Sequence, residues 1–174
     1  MANTYEAIAT VTVGSGGASS ISFSSIPATY TDLSLLISAR TDGSEIDRLI
    51  NLTFNGSTSG YSTRELLANP PTVSSLSWSS AAQIYLFQMA ASSATANTFG
   101  NIQAYIPNYA GSNNKSLSCD GVTETNATSG TNRLLSLSAS LWANSAAITS
   151  INLTPQAGNF VQYSTATLYG IKSS

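Results

Sequence analysis

The groups that could do chemistry in this sequence are few, and the one enzymes use most often is missing. The 174 residues contain no histidine, one cysteine, six Lys+Arg and eight Asp+Glu. Without imidazole the chain lacks the commonest general base, the usual partner that activates serine, and the commonest nitrogen ligand for metals. A serine or cysteine nucleophile would need Lys115 or Lys172 as its base; Ser112-Asn-Asn-Lys115 has Ser-x-x-Lys spacing but stands alone at an Asn-rich turn, without the Ser-Asp-Asn and Lys-Thr-Gly companions, and Lys172 has no such serine. GxSxG, Walker and GxGxxG signatures are absent as well. Cys119 has no second cysteine to pair with. It alternates with Leu117 in a strand-like run, so it reads as a small buried apolar side chain rather than an activated thiol. Carboxylate-only catalysis of the glycosidase kind needs two facing acids and a cleft. Eight acids allow that in principle, but no catalytic constellation stands out. The sequence therefore predicts a protein that is not an enzyme, with no catalytic, cofactor-binding or metal-ligating residues assigned.

Charge is concentrated in one place. Arg40, Asp42, Glu45, Asp47 and Arg48 crowd into a loop-like segment between two strand patterns. The ordinary reading is a solvated loop whose opposite charges pair locally. Two others stay open: a calcium site from Asp42, Glu45 and Asp47, which offer oxygen ligands without EF-hand spacing, and an intersubunit salt-bridge patch. Among the aromatics, Trp142 ends a strong strand pattern and reads as packing. Trp78 lies in a Ser-rich segment and is the better candidate for a contact surface, including one that stacks on a sugar. The tripeptides beginning at Asn51, Asn55, Asn126 and Asn152 fit the N-glycosylation pattern, which carries little weight in a chain so rich in Asn, Ser and Thr.

The elements that must position these residues are strands. Apolar residues recur with period two. Leu33, Leu35, Ile37 and Ala39 share one face of 31–40, and Leu135, Leu137, Ala139 and Leu141 share one face of 134–142. Weaker patterns lie at 5–13, 19–24, 48–54, 83–89, 99–106, 115–123, 147–153 and 160–171. The stretch 79–98 is alanine-rich enough to support a helix, but Ile84, Tyr85, Leu86 and Phe87 favour a strand. Breakers separate the patterns at Gly14–Gly17, Pro70-Pro71, Pro107, Asn113-Asn114 and Pro155–Asn159. Asn55-Gly56 is the best tight-hairpin candidate, because both positions tolerate positive φ. Short strands at this spacing predict one all-β, antiparallel sandwich or barrel over residues 1–174.

Composition narrows the partners. Charged residues make up 8% of the chain, against about 25% in an ordinary soluble domain. Hydrophobic content is 42% and mean hydropathy +0.07, so Ser, Thr, Asn, Gly and Ala have replaced charge. Aromatics and a net charge of −2 argue against disorder. A pI near 4.8 leaves no cationic surface for phosphates or anionic lipids, so neither nucleic acid nor membrane is an expected partner. Met1-Ala-Asn-Thr-Tyr-Glu has no basic and apolar signal regions, and no apolar run reaches about 18 residues. The sequence thus predicts a soluble chain that is not exported by an N-terminal signal.

Three stretches resemble a family of small virion-associated proteins of tailed bacteriophages, particularly those of aquatic and cyanobacterial hosts. The first runs from Gly17-Ala-Ser-Ser-Ile-Ser-Phe through Pro27-Ala-Thr-Tyr-Thr-Asp-Leu33 to Ser38-Ala-Arg-Thr-Asp42 and Phe54-Asn-Gly. The second is Phe99-Gly-Asn-Ile with Tyr105-Ile-Pro-Asn-Tyr-Ala-Gly-Ser-Asn-Asn-Lys-Ser116. The third runs from Leu141-Trp through Ala146–Thr154 to Gly158–Lys172. The resemblance implies a jelly-roll-like sandwich, frequently a trimer, serving as a head decoration (cement) protein or in the tail-fibre apparatus. It transfers no residue role. The leading expectation is a homotrimeric decoration protein of the virion that contacts the major capsid protein. The alternative is a tail-fibre or adhesin module whose loops near Trp78, Tyr109 and Asn113 bind a host glycan or protein.

Apolar and hydrogen-bonded contacts are screened little by salt, whereas exposed ion pairs are screened strongly. Attachment to the partner should therefore change little between about 0.05 and 0.5 M NaCl. Release of the protein from its assembly by NaCl alone would contradict that expectation.

Overall fold

A computed structural model describes residues 4–125 and 134–172, in twelve strands and no helix. Eight strands form the large sheet: β1 (Tyr5–Thr12), β3 (Asp32–Ala39), β5 (Tyr61–Asn69), β6 (Thr72–Ala81), β8 (Gly100–Ile106), β9 (Lys115–Thr123), β10 (Leu134–Trp142) and β12 (Thr165–Ile171). Their order across the sheet is β1-β12-β3-β8-β9-β10-β5-β6. The small sheet has order β2-β11-β4-β7, from β2 (Ile21–Phe23), β4 (Asp47–Phe54), β7 (Ile84–Ala90) and β11 (Ile151–Pro155). Every pairing is antiparallel.

Chain neighbours alternate between the sheets. β2, β4, β7 and β11 lie in one, and β3, β5–β6, β8–β10 and β12 in the other. This is the antiparallel sandwich that the periodicity predicts, wound as a jelly roll in which β8–β10 widen one position into a meander. Alternation explains the core. Leu33, Leu35 and Ile37 of β3, with Ile102, Ala104 and Ile106 of β8, face Ile50, Leu52 and Phe54 of β4 and Ile151 and Leu153 of β11, all of them buried. Burying each large aliphatic side chain contributes about 1.5–3 kcal/mol. At one end Trp142 stacks on Tyr61 at 6.1 Å and meets Phe54 at 5.6 Å, tying β10 and β5 to β4 across the sandwich. The Tyr61 hydroxyl also accepts the Phe54 N–H at 2.8 Å.

Three expectations need correction. Asn55 and Gly56 do take positive φ, 52° and 68°, and Ser57 N–H closes the turn on Phe54 O at 2.9 Å. The turn does not make a hairpin, however, because β4 and β5 belong to different sheets. The tight hairpin is β5–β6, joined at Pro70-Pro71. Residues 147–150 do not join a strand, since Asn55 holds them: its Oδ1 accepts N–H from Thr149 and Ser150, and its Nδ2 donates to Ala147 O. Similarly 160–164 lies outside β12, with Phe160 bridging Ala18 and Thr41 and the Ser164 hydroxyl bound to the Arg40 backbone.

The covering of β10 and β5 is unusual. Ser136, Ser138, Ser140 and Thr63 point inward, while Leu135, Leu137, Leu141 and Leu66 point outward. β7 is the small sheet's edge strand over this end, and small inward residues let its bulky side chains come close. Phe87 lies against Gly121 of β9, whose missing Cβ would sit 2.5 Å from the ring. Gly121→Ala should cost about 1–3 kcal/mol by overpacking. Gly14→Ala, with nothing within 4 Å of the added carbon, should change stability by less than about 0.5 kcal/mol. Urea midpoints check this, and equal midpoints for the two variants would contradict it.

Candidate functional surface

The charged segment is a structural clasp. Arg40 is 9% exposed, and its guanidinium donates to the carbonyls of Ser92, Ala94, Thr95 and Thr98 and to the Thr98 hydroxyl. Burial lowers its pKa, and carbonyl dipoles rather than a carboxylate compensate the charge. The expected solvated loop is thus corrected at Arg40, while Glu45 and Arg48 do pair locally at 2.8 Å. Asp42 accepts the Asn159 N–H at 2.6 Å and so pins the loop before β12. Asp47 is half-buried, and that burial, with the neighbouring Glu45, raises its pKa. Asp42, Glu45 and Asp47 are not brought together. Among the described residues no three His, Cys, Asp or Glu side chains gather to hold a metal.

The nucleophile and base candidates are all engaged in structure. The Cys119 thiol is buried, and burial pushes its pKa up to about 12. Lys115 is also buried and donates to Gly111 O at 2.7 Å and to Asn113 O. Lys172 pairs with Glu6 at 2.6 Å and lies 5.4 Å from the Tyr30 ring centroid.

The aromatic and Asn-rich contact site does not assemble as expected. Tyr109 is fully buried, with its hydroxyl on Pro27 O, because 106–109 turns back under the sandwich edge. Trp78 is half-buried against Tyr85 at 5.0 Å, and Asn113 is exposed. Trp142 packs in the core as expected. Of the glycosylation tripeptides, Asn51 is buried, Asn55 is bonded to the 147–150 loop, and Asn152 accepts the Ser22 hydroxyl at 2.6 Å. Asn126 lies outside the described residues.

What the structure does assemble is an apolar island on the outer face of the large sheet. Leu66 pairs with Leu137, Ala68 with Leu135 and Val73, and Leu135 with Val122, so these side chains are contiguous across β6, β5, β10 and β9. Leu137 is 64% exposed and Leu66 and Leu135 are each 53% exposed. They line a shallow groove of about 460 Å³. Arg64 flanks the island on β5 and Asp120 flanks it on β9. Farther along, over β8, β3 and β12, the same face turns polar at Asn101, Gln103, Thr165 and Thr167, beside Tyr105, whose hydroxyl donates to Asp32 at 2.7 Å. The sequence signalled the leucine period on β10 but not its sidedness.

No protein-family model matches the chain, and no curated protein does. A solved structure, the CBM2 module of the evolved Dit of Lactobacillus casei BL23 phage J-1, aligns over 89% of this chain and 70% of that one. Identity is 13% and the TM-score 0.21, a likeness too slight to bear on fold or function.

Behind the island, Glu65 is buried on the inner face with Oε1 unpartnered, and burial raises its pKa, partly offset by the Ser136 hydroxyl. A raised folded-state pKa means that the folded chain holds the proton more tightly than the unfolded one. The stabilisation is complete below about 4.5 and is lost as pH rises through the folded value. Glu65→Gln should therefore melt higher than the parent at pH 7, with the gain shrinking as pH falls through the folded value and gone below about pH 4.5. Calorimetry at both pH values checks this, and a gain independent of pH would contradict it.

Proposed function

We propose that the protein is a structural component of a tailed-phage virion, a decoration protein that attaches to the assembled head and reinforces it by surface contacts. The observation that carries this reading is the exposed leucine island on the large sheet, since an apolar patch of this kind marks a chain that works within an assembly rather than alone. The resemblance of three stretches to small virion proteins supplies the setting. A charge-poor surface suits contacts that must survive changing salt. In this reading the protein acts as a homo-oligomer, a trimer by the resemblance, against the major capsid protein. It catalyses nothing and takes no cofactor.

The polar half of the same face favours a second reading, a tail-fibre or adhesin module. Tyr105 there is exposed beside Gln103 and Asn101, which could bond to sugar hydroxyls while the ring stacks on the sugar.

Labelling of intact particles and copy number separate the two. Decoration predicts label over the head and on the order of hundreds of copies. Label confined to the tail, with glycan binding that Tyr105→Ala abolishes, would overturn decoration in favour of the adhesin.

A further inference from the structure

The leucine island stands out because of what lies behind it. A β-strand that covers a core on one side normally turns its apolar residues inward, and a shift of one residue would do that for β10, placing Leu135, Leu137 and Leu141 inside and its serines in solvent. The fold keeps the opposite arrangement along the middle of β10, and on β5 Thr63 and Glu65 face inward while Leu66 faces out. Exposed leucine is stabilising only where something removes it from water.

We propose that the occupant of this face is another copy of the same chain, an inference that rests on reading the protein as an assembly module. The face is complementary to itself. Arg64 stands on β5 and Asp120 on β9, on opposite sides of β10, and both are exposed. When the β5 side of one copy lies against the β9 side of another, Arg64 approaches the other copy's Asp120 and the β10 leucines of the two copies meet. About a two-fold axis along β10 the contact is reciprocal, and about a three-fold axis it is cyclic. The pair contact, not the subunit number, is what the geometry assigns. The guanidinium already leans toward the sheet edge, donating to Trp78 O at 3.0 Å and to the Ser79 hydroxyl at 3.2 Å. That is the side a second copy's β9 would cover. The leucines supply affinity and the single charge pair sets the register. A nucleic acid or an anionic membrane would need a cationic face, and among the described residues this one carries Arg64, Asp120 and Glu124 beside the apolar centre, with no excess of positive charge.

Light scattering of the full chain, diluted from about 100 µM, reads the proposal directly. The parent should run as a multiple of its 18.0 kDa mass. Leu137→Asp should run as a folded monomer, with unchanged circular dichroism. Arg64→Asp should weaken association by about tenfold or more, and adding Asp120→Arg should restore it with the urea midpoint unchanged; the two side chains also line one groove within a single chain, so it is recovery of the oligomer at equal stability that reports contact between copies. The charge-swap pair leaves the leucines alone and decides the matter if Leu137→Asp fails to fold. A parent that is monomeric throughout, a folded Leu137→Asp that stays oligomeric, or a double swap no better than Arg64→Asp would each overturn the proposal. A monomeric parent that still coats phage heads would overturn this inference alone. A self-associating protein absent from particles would overturn only the functional reading.

Discussion

The constraint on which the rest of this structure depends is the sidedness of β10. Its alternation is strict, and the ladder to β5 and β9 fixes which side faces inward. With serines inside, the space under this end of the large sheet is shallow enough for β7 to close over it, Phe87 filling the place of Gly121's absent side chain. With leucines outside, the large sheet carries an apolar face that the small sheet cannot cover. Packing and assembly are two sides of one register.

The same economy governs the charges. Arg40 and Lys115 are buried cations held by main-chain carbonyls, each fastening a loop: 92–98 by the first and 111–113 by the second. Glu65 is a buried carboxyl group beneath the leucine island, and that burial raises its pKa. Among the charges left at the surface, Glu45–Arg48 and Glu6–Lys172 form ion pairs, which contribute little to stability in water. A surface built this way interacts through shape, hydroxyls and leucines rather than through long-range fields, which accords with the proposed role in an assembly.

Most of the framework could be read from the residues because strands with one dry face alternate. The pattern in β3 put Leu33, Leu35, Ile37 and Ala39 on one face, which is the buried one, and β4, β7, β8 and β9 were found within a residue or so. β5 and β6 were missed for a physical reason. Thr63 and Glu65 occupy inward positions on β5, and β6 is a serine-rich edge strand with no continuous apolar stripe. The role of Arg40 was hidden because its partners are carbonyls from residues 92–98, which are set by topology and not by any side-chain motif. Tyr109 looked like a loop contact and is core, because aromatic type alone does not tell a stacking platform from a buried ring. The sidedness of β10 could not be read either. Leucine and serine alternate in the sequence whichever row faces inward, and only the register chooses.

That choice can be measured directly. In a Cys119→Ala background, Leu137→Cys and Ser138→Cys would each be challenged with a thiol reagent in dilute native protein. Position 137 should label rapidly, and position 138 should stay protected until the chain unfolds. Protection at 137 with rapid labelling at 138 would mean that the leucines face the core, and would contradict this sidedness.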